Sequence, residues 1–195
     1  DAIGGHQSLV TKGDGGINYE LYLDADGSLA LTSDAGTTLL ANAGTKVSAG
    51  QWQHVTVSID GSDAEFFIDG ESVGAFDNWT FGPTNTGTLR IGEEPTGSGF
   101  SGHIGEVRMW NIDRTGAEIR ADMFRTLEQG EDDLIANWRL DAGSGDRIFD
   151  ASGNGHTSNA GSSTFPVWSD DAPPAVGRLA ALDFNGVSTH IEIEA

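Results

Sequence analysis

The stretch Trp52 to Phe76, WQHVTVSIDGSDAEFFIDGESVGAF, decides the fold class. Val55, Val57 and Ile59 alternate with His54, Thr56 and Ser58, so an extended segment there has one apolar and one polar face. Asp60-Gly61 ends the first apolar run and Asp69-Gly70 the second. Asp-Gly pairs adopt the positive-φ conformation that a tight hairpin needs, so the stretch reads as an antiparallel meander.

The same device recurs on either side. Tyr19 to Leu31, YELYLDADGSLAL, folds back around Asp26-Gly27, and the DADG there is better read as a turn than as a metal loop. Thr88–Gly92 (TLRIG), Ile104–Asn111 (IGEVRMWN) and Leu134–Leu140 (LIANWRL) read as further strands. LAALDFNGVSTHIEIEA closes the chain with two more, joined near Asn185-Gly186, and SDDAPPAVG before it reads as a connector. One segment is helical: Thr115 and Glu118 form a T-x-x-E capping box, and Ile119 and Met123 share a face. The expected fold is therefore all-β, an antiparallel sandwich with one short surface helix near 115–125. Composition does not shift sharply anywhere, so residues 1–195 read as one sandwich.

Charge narrows the partners. The 195 residues carry a formal net charge of −20, with Lys12 and Lys46 as the only lysines, so nucleic acid and anionic lipid would be repelled. Two compatible readings of the acidity remain: a solvated surface suited to a salty medium, and carboxylates ready for calcium. The chain has no cysteine, which removes disulfides and thiolate metal sites. No apolar run approaches the ~20 residues of a membrane span, so membrane insertion is not expected. The opening DAIGGHQSL carries no signal peptide and reads as the start of a domain cut from a longer protein.

The loop FDASGNGHTSNAG, Phe149 to Gly161, poses the functional question. Asp150, Ser152 and Asn154 are spaced by two, as oxygen donors are in calcium loops, and Gly153 and Gly155 permit tight curvature. The plainer alternative is a polar loop whose Asp caps its own turn. His6, His54, His103, His156 and His190 show no zinc spacing, and no P-loop or G-x-S-x-G occurs. Glu192 and Glu194 share one side of a strand, which reads as a solvated face before a glycosidase pair. Trp52, Trp110 and Trp138 sit in strand patterns and are expected in the core. Trp79 (in FDNWTFGPTNTG) and Trp168 (in FPVWSDDAPP) lie in loop-like sequence, where a ring can stack on a sugar or plug the sandwich edge.

Taken together, SLVTKGD, YLDADGSLAL, AGQWQHVTVSIDG, AEFFIDGESVG, LRIGEE, FSGHIGEVRMWNIDRTGAEI, IANWRLDAGSGDRIFDASGNGHTSN and LAALDFNGVSTHIEI resemble a concanavalin A-like, laminin G-type (LamG) jelly roll. The order is not the family's usual one. The WRLDAGSG…DASGNG and ALDFNGVSTHIEI elements normally open such a domain and here close the chain. The resemblance thus implies a permuted or split jelly roll whose closing strands, 181–193, complete the sheet opened at the N-terminus. It also implies a structural calcium held jointly by two loops: Asp150 and Asn154 from the D-x-S-G-N-G run, Asn185 where the family usually has Asp, and Glu106 as the nearby strand acid.

The expectation that follows is a non-catalytic, lectin-like, calcium-stabilised module of a large secreted or cell-surface bacterial adhesin. Its partners would be a surface glycan and the neighbouring domains of the parent protein. The sugar contacts would be Asp77, Asn78, Trp79 and Thr80. The alternatives are a spacer that displays another domain and, less favoured, a glycoside hydrolase or polysaccharide lyase; the E-x-D-x-E strand motif of laminarinase-type enzymes is absent.

Overall fold

The computed structural model describes residues 5–14, 16–41, 45–158, 165–174 and 179–193. In chain order the first strands are β1 (Gln7–Lys12), β2 (Tyr19–Leu23), β3 (Leu29–Thr32) and β4 (Thr38–Leu40), each antiparallel to the next. The meander follows as β5 (Val55–Asp60), β6 (Asp63–Ile68) and β7 (Glu71–Phe76). At its second turn Asp69 and Gly70 both hold positive φ, 52° and 75°, the backbone twist that matches two right-twisted strands. The remaining elements are β8 (Leu89–Ile91), β9 (Ser101–Ile104), β10 (Val107–Trp110), α1 (Gly116–Asp122), β11 (Leu134–Trp138), β12 (Val167–Ser169), β13 (Ala181–Asn185) and β14 (Ile191–Ile193).

One layer is a six-stranded sheet in the order β14-β8-β1-β2-β3-β4. Three smaller sheets oppose it: β5-β6-β7, β10-β11 and β12-β13-β9. Leu23, Leu29 and Leu31 of the large sheet bury against Phe66, Ile68 and Val73 of the meander. Ile91, Ile191 and Ile193 bury against Trp138, Leu182 and Phe184. Phe100 packs on both clusters and joins them into one interior. This is the antiparallel sandwich that the alternating pattern demands, since each sheet has a single apolar face to hide.

Three details differ from the sequence reading. IGEVRMWN is not one strand: β9 pairs with β13 and β10 pairs with β11, so the chain changes sheets at Gly105-Glu106. The helix stops at Asp122, because Arg108 donates to the carbonyls of Asp122 (2.8 Å) and Arg125 (2.6 Å) and closes its C-terminal end. Its start matches the capping box, with the Thr115 amide donating to Glu118 at 2.8 Å. Of the three tryptophans placed in the core, only Trp138 is buried. Trp110 lies half-buried under the Arg114 guanidinium, 3.9 Å from the ring centre, and Trp52 donates its indole N–H to Asp171 at 3.0 Å. A two-stranded piece such as β10-β11 turns alternate residues outward, and cations then cover what a second layer would have covered.

The closing strands enter different layers. β13 pairs with β9, and β14 pairs with β8 at the edge of the six-stranded sheet. The turn between them is organised by Asn185, whose Oδ1 accepts the amides of Val187 (2.9 Å), Ser188 (3.0 Å) and Thr189 (3.3 Å).

Candidate functional site

The glycine-rich loop is built around its own backbone. Asp150 lies beside β11 in a single bridge to Trp138. Its Oδ1 accepts the amides of Asn137 (3.0 Å) and Ser152 (2.9 Å), and its Oδ2 accepts that of His156 (3.1 Å). Burial alone would push this carboxyl up; the three N–H donors outweigh it and hold it below the ordinary Asp value. Gly153 takes φ 90°, and a side chain there would run into Gln129, so only glycine fits. Asn154 donates its amide to the carbonyls of Leu134 (2.8 Å) and Ile135 (2.9 Å), stitching the loop tip to β11.

These residues do not fit a shared calcium site. The Asp150 oxygens already accept three N–H groups, Asn154 presents its nitrogen to the strand, and the Asn185 oxygen accepts four donors, Thr189 Oγ1 being the fourth at 3.2 Å. Glu106 sits 2.8 Å from Arg108 in an ion pair. Among the described residues no group of three or more His, Asp or Glu could hold a metal ion. The loop is the self-capped turn that the sequence left as the plainer reading.

The second expected site is also rearranged. Trp79 is 2 % exposed and packs with Leu31, Phe66 and Ile68, so its ring has no face to offer a sugar. Asn78 turns the chain at φ 67°, and the Trp79 amide donates to Ser62 at 2.7 Å, which directs the ring inward. Asp77, Asn78 and Thr80 remain exposed, with the Thr80 carbonyl accepting Ser33 Oγ at 2.7 Å. Further along the same loop Pro83, Asn85, Thr86 and Gly87 face Asp14 and Gly16 across a cleft of about 430 Å³. Asp14 there accepts the Thr88 amide and pairs with Arg90 at 2.6 Å, and Asn85 donates to the Gly16 carbonyl, so its polar groups are already engaged. Glu194, the second member of the expected strand pair, lies outside the described residues; Glu192 pairs with Arg90 at 3.2 Å.

A different cleft carries the chemistry that stacking requires. It measures about 140 Å³ and is lined by Arg139, Asp141, Arg147, Phe149 and Trp168, with Leu140 and Ile148 at its floor. Leu140 holds φ 45°, uncommon for a leucine, and this sends the chain from β11 out around the cleft. Trp168, which the sequence placed in a loop, lies in β12; its indole N–H donates to the Gly145 carbonyl at 2.8 Å, fixing the ring against the 140–147 segment. Ile148 is buried while Phe149 is 69 % exposed, as neighbours on an extended segment must alternate. Arg139 donates to the Leu127 carbonyl at 2.5 Å. Arg147 is exposed and, among the described residues, has no hydrogen bond or ion pair.

Sequence reasoning missed Asp141, Arg147 and Phe149. The available signal was the pairing in DRIFD of a scarce cation with an aromatic directly before the turn-capping Asp150. A third polar cluster lies along β1 and β2 of the six-stranded sheet. His6 stacks on Tyr22 at 3.9 Å and reaches Glu20 at 2.7 Å, with Ser8 and Thr11 hydrogen-bonded beneath. Burial pushes the Glu20 carboxyl up, and at 2 % exposure it cannot meet a ligand, so this cluster is internal structure.

Comparison with known proteins agrees with this architecture. No curated protein sequence matches the chain. A solved structure of a candidate carbohydrate-binding protein from Bacteroides ovatus superposes with a TM-score of 0.58 at 20 % identity, covering 76 % of this chain and 49 % of that one. The chain therefore spans about half the length of that neighbour. No helix of the described residues is long and apolar enough to cross a membrane. Residues 1–120 match the laminin G-type family described as the concanavalin A-like lectin/glucanases superfamily, and the chain belongs to that superfamily.

Proposed function

We propose that this chain is a non-catalytic carbohydrate-binding module, and that it grips one sugar unit in the cleft between Phe149 and Trp168. The observation that carries the reading is the meeting of an exposed Phe149, a half-buried Trp168, Asp141 and Arg147 around one depression. Scattered exposed aromatics are ordinary; two beside unengaged polar groups are the equipment of a sugar site. The rings cover the C–H faces of a pyranose, and the carboxylate and guanidinium take its hydroxyls. The cleft is smaller than the ~300–1,000 Å³ of a drug-sized pocket, which favours a single ring and weak affinity raised by multivalent display.

Binding without cleavage is supported by the lining, where Asp141 is the one carboxylate, whereas glycoside hydrolysis normally needs two. The family contains both lectins and glucanases by description, and the Bacteroides neighbour is a candidate carbohydrate binder. A secreted or surface adhesin is the setting we favour, on the strength of the acidity alone. A glycan array followed by calorimetry tests the function: the wild type should bind at least one glycan and Trp168→Ala should not. Binding that survives in both Trp168→Ala and Phe149→Ala would move the site elsewhere. Absence of binding by the folded wild type would leave the spacer role.

A further inference from the structure

We infer that the sugar taken by this cleft is anionic, with its carboxylate or sulfate held by Arg147; this rests on the carbohydrate-binding reading above. The chain has 10 cations against 30 acids, so an unpaired cation is hard to maintain by chance. Every other described cation is engaged. Lys46, Arg90, Arg108, Arg114, Arg120 and Arg125 meet carboxylates, and Lys12 and Arg139 donate to backbone carbonyls. Arg147 alone among the described residues stands exposed with its five donors unassigned, although Asp146 precedes it and Asp141 lines the same cleft. The lining sets Arg147 beside Arg139 and a single carboxylate, Asp141, in a chain of net charge −20.

The forked guanidinium suits a planar carboxylate or a sulfate in bidentate contact, and Phe149 and Trp168 flank the space such a ring would fill. The overall negative charge does not forbid this. Charges beyond a Debye length of about 8 Å are largely screened at physiological ionic strength, and one small ring stays within that distance of Arg147. A long polyanion, by contrast, would lie across the acidic surface, so an isolated or terminal anionic residue is the ligand expected.

Three probes separate the possibilities in NMR or calorimetric titration: methyl glucuronide, a glucose sulfate and neutral methyl glucoside. The inference expects one of the anionic probes to bind about 10- to 100-fold more tightly than the neutral one, weakening as salt rises. Arg147→Gln, at a side chain that is exposed and makes no hydrogen bond or ion pair among the described residues, should erase that preference, and Arg147→Lys should keep part of it. Which anionic probe wins distinguishes carboxylate from sulfate. Equal binding of neutral and anionic probes, or an anionic preference that Arg147→Gln leaves intact, overturns the inference while the carbohydrate reading stands. Failure of every probe and of the wider glycan array overturns both.

Discussion

Trp79 and Trp168 look alike in sequence, each an aromatic among Asp, Pro and polar residues, yet they end in opposite settings. Trp79 sits on the irregular segment after β7, where a positive-φ Asn78 swings the ring into the core. Trp168 sits on a short outer strand, anchored by its N–H to Gly145 and left half-buried at a cleft. The difference lies in what the backbone around each ring is tied to, since the local composition is nearly the same. One ring is sealed inside the sandwich and the other reaches its surface.

Substitution should break the pair apart. Trp79→Ala removes a fully buried ring and should cost about 3–5 kcal/mol, seen as a large fall in Tm or in the denaturant midpoint. Trp168→Ala should cost markedly less and abolish sugar binding. If both changed stability equally, the division of labour between the two rings would be wrong.

The Asp150 loop sharpens the same contrast, because it looked like a ligand site and is organised as structure. Asp150→Ala strands the amides of Asn137, Ser152 and His156, the first two on buried residues, and should cost about 1–3 kcal/mol in urea unfolding. The folded-state pKa of Asp150 is depressed, so its stabilisation is present above the unfolded value of about 3.9 and is lost as pH falls through the folded one. The variant should therefore lose less stability than wild type on acidification. Thr115→Ala removes the helix cap for about 1 kcal/mol and leaves binding unchanged. Chelator should shift the melting curve least of all: the Asp150 and Asn185 oxygens already accept protein N–H groups. A calcium-dependent rise of many degrees would contradict the fit found here.

The alternation in WQHVTVSIDG, the Asp-Gly turns and the Thr115–Glu118 box made the sheets and helix legible, because each is a local rule. The sheet change at Gly105-Glu106 was not legible, since β9 and β10 differ only in which distant strand they pair with. The candidate site was legible in part. Trp168 stood out as a loop-like aromatic, but Asp77, Asn78, Trp79 and Thr80 were favoured because spacing does not reveal which way a ring turns. Asp150, Asn154 and Asn185 stood out as oxygen-rich turn residues; Asp150 and Asn185 accept amides of the chain and Asn154 donates to its carbonyls, partners that depend on three-dimensional closure. Arg147 and Phe149 emerge only when the cleft brings Trp168, from the far side of the loop, against them.

The central claim is that an unoccluded aromatic rim beside an unpaired guanidinium, and not the buried indole, receives the saccharide. Following the indole N–H resonances of all five tryptophans by NMR during titration with an array-selected oligosaccharide tests it directly. The account predicts a saturable shift of the Trp168 signal with the Trp79 signal stationary. A moving Trp79 signal beside a stationary Trp168 would contradict it.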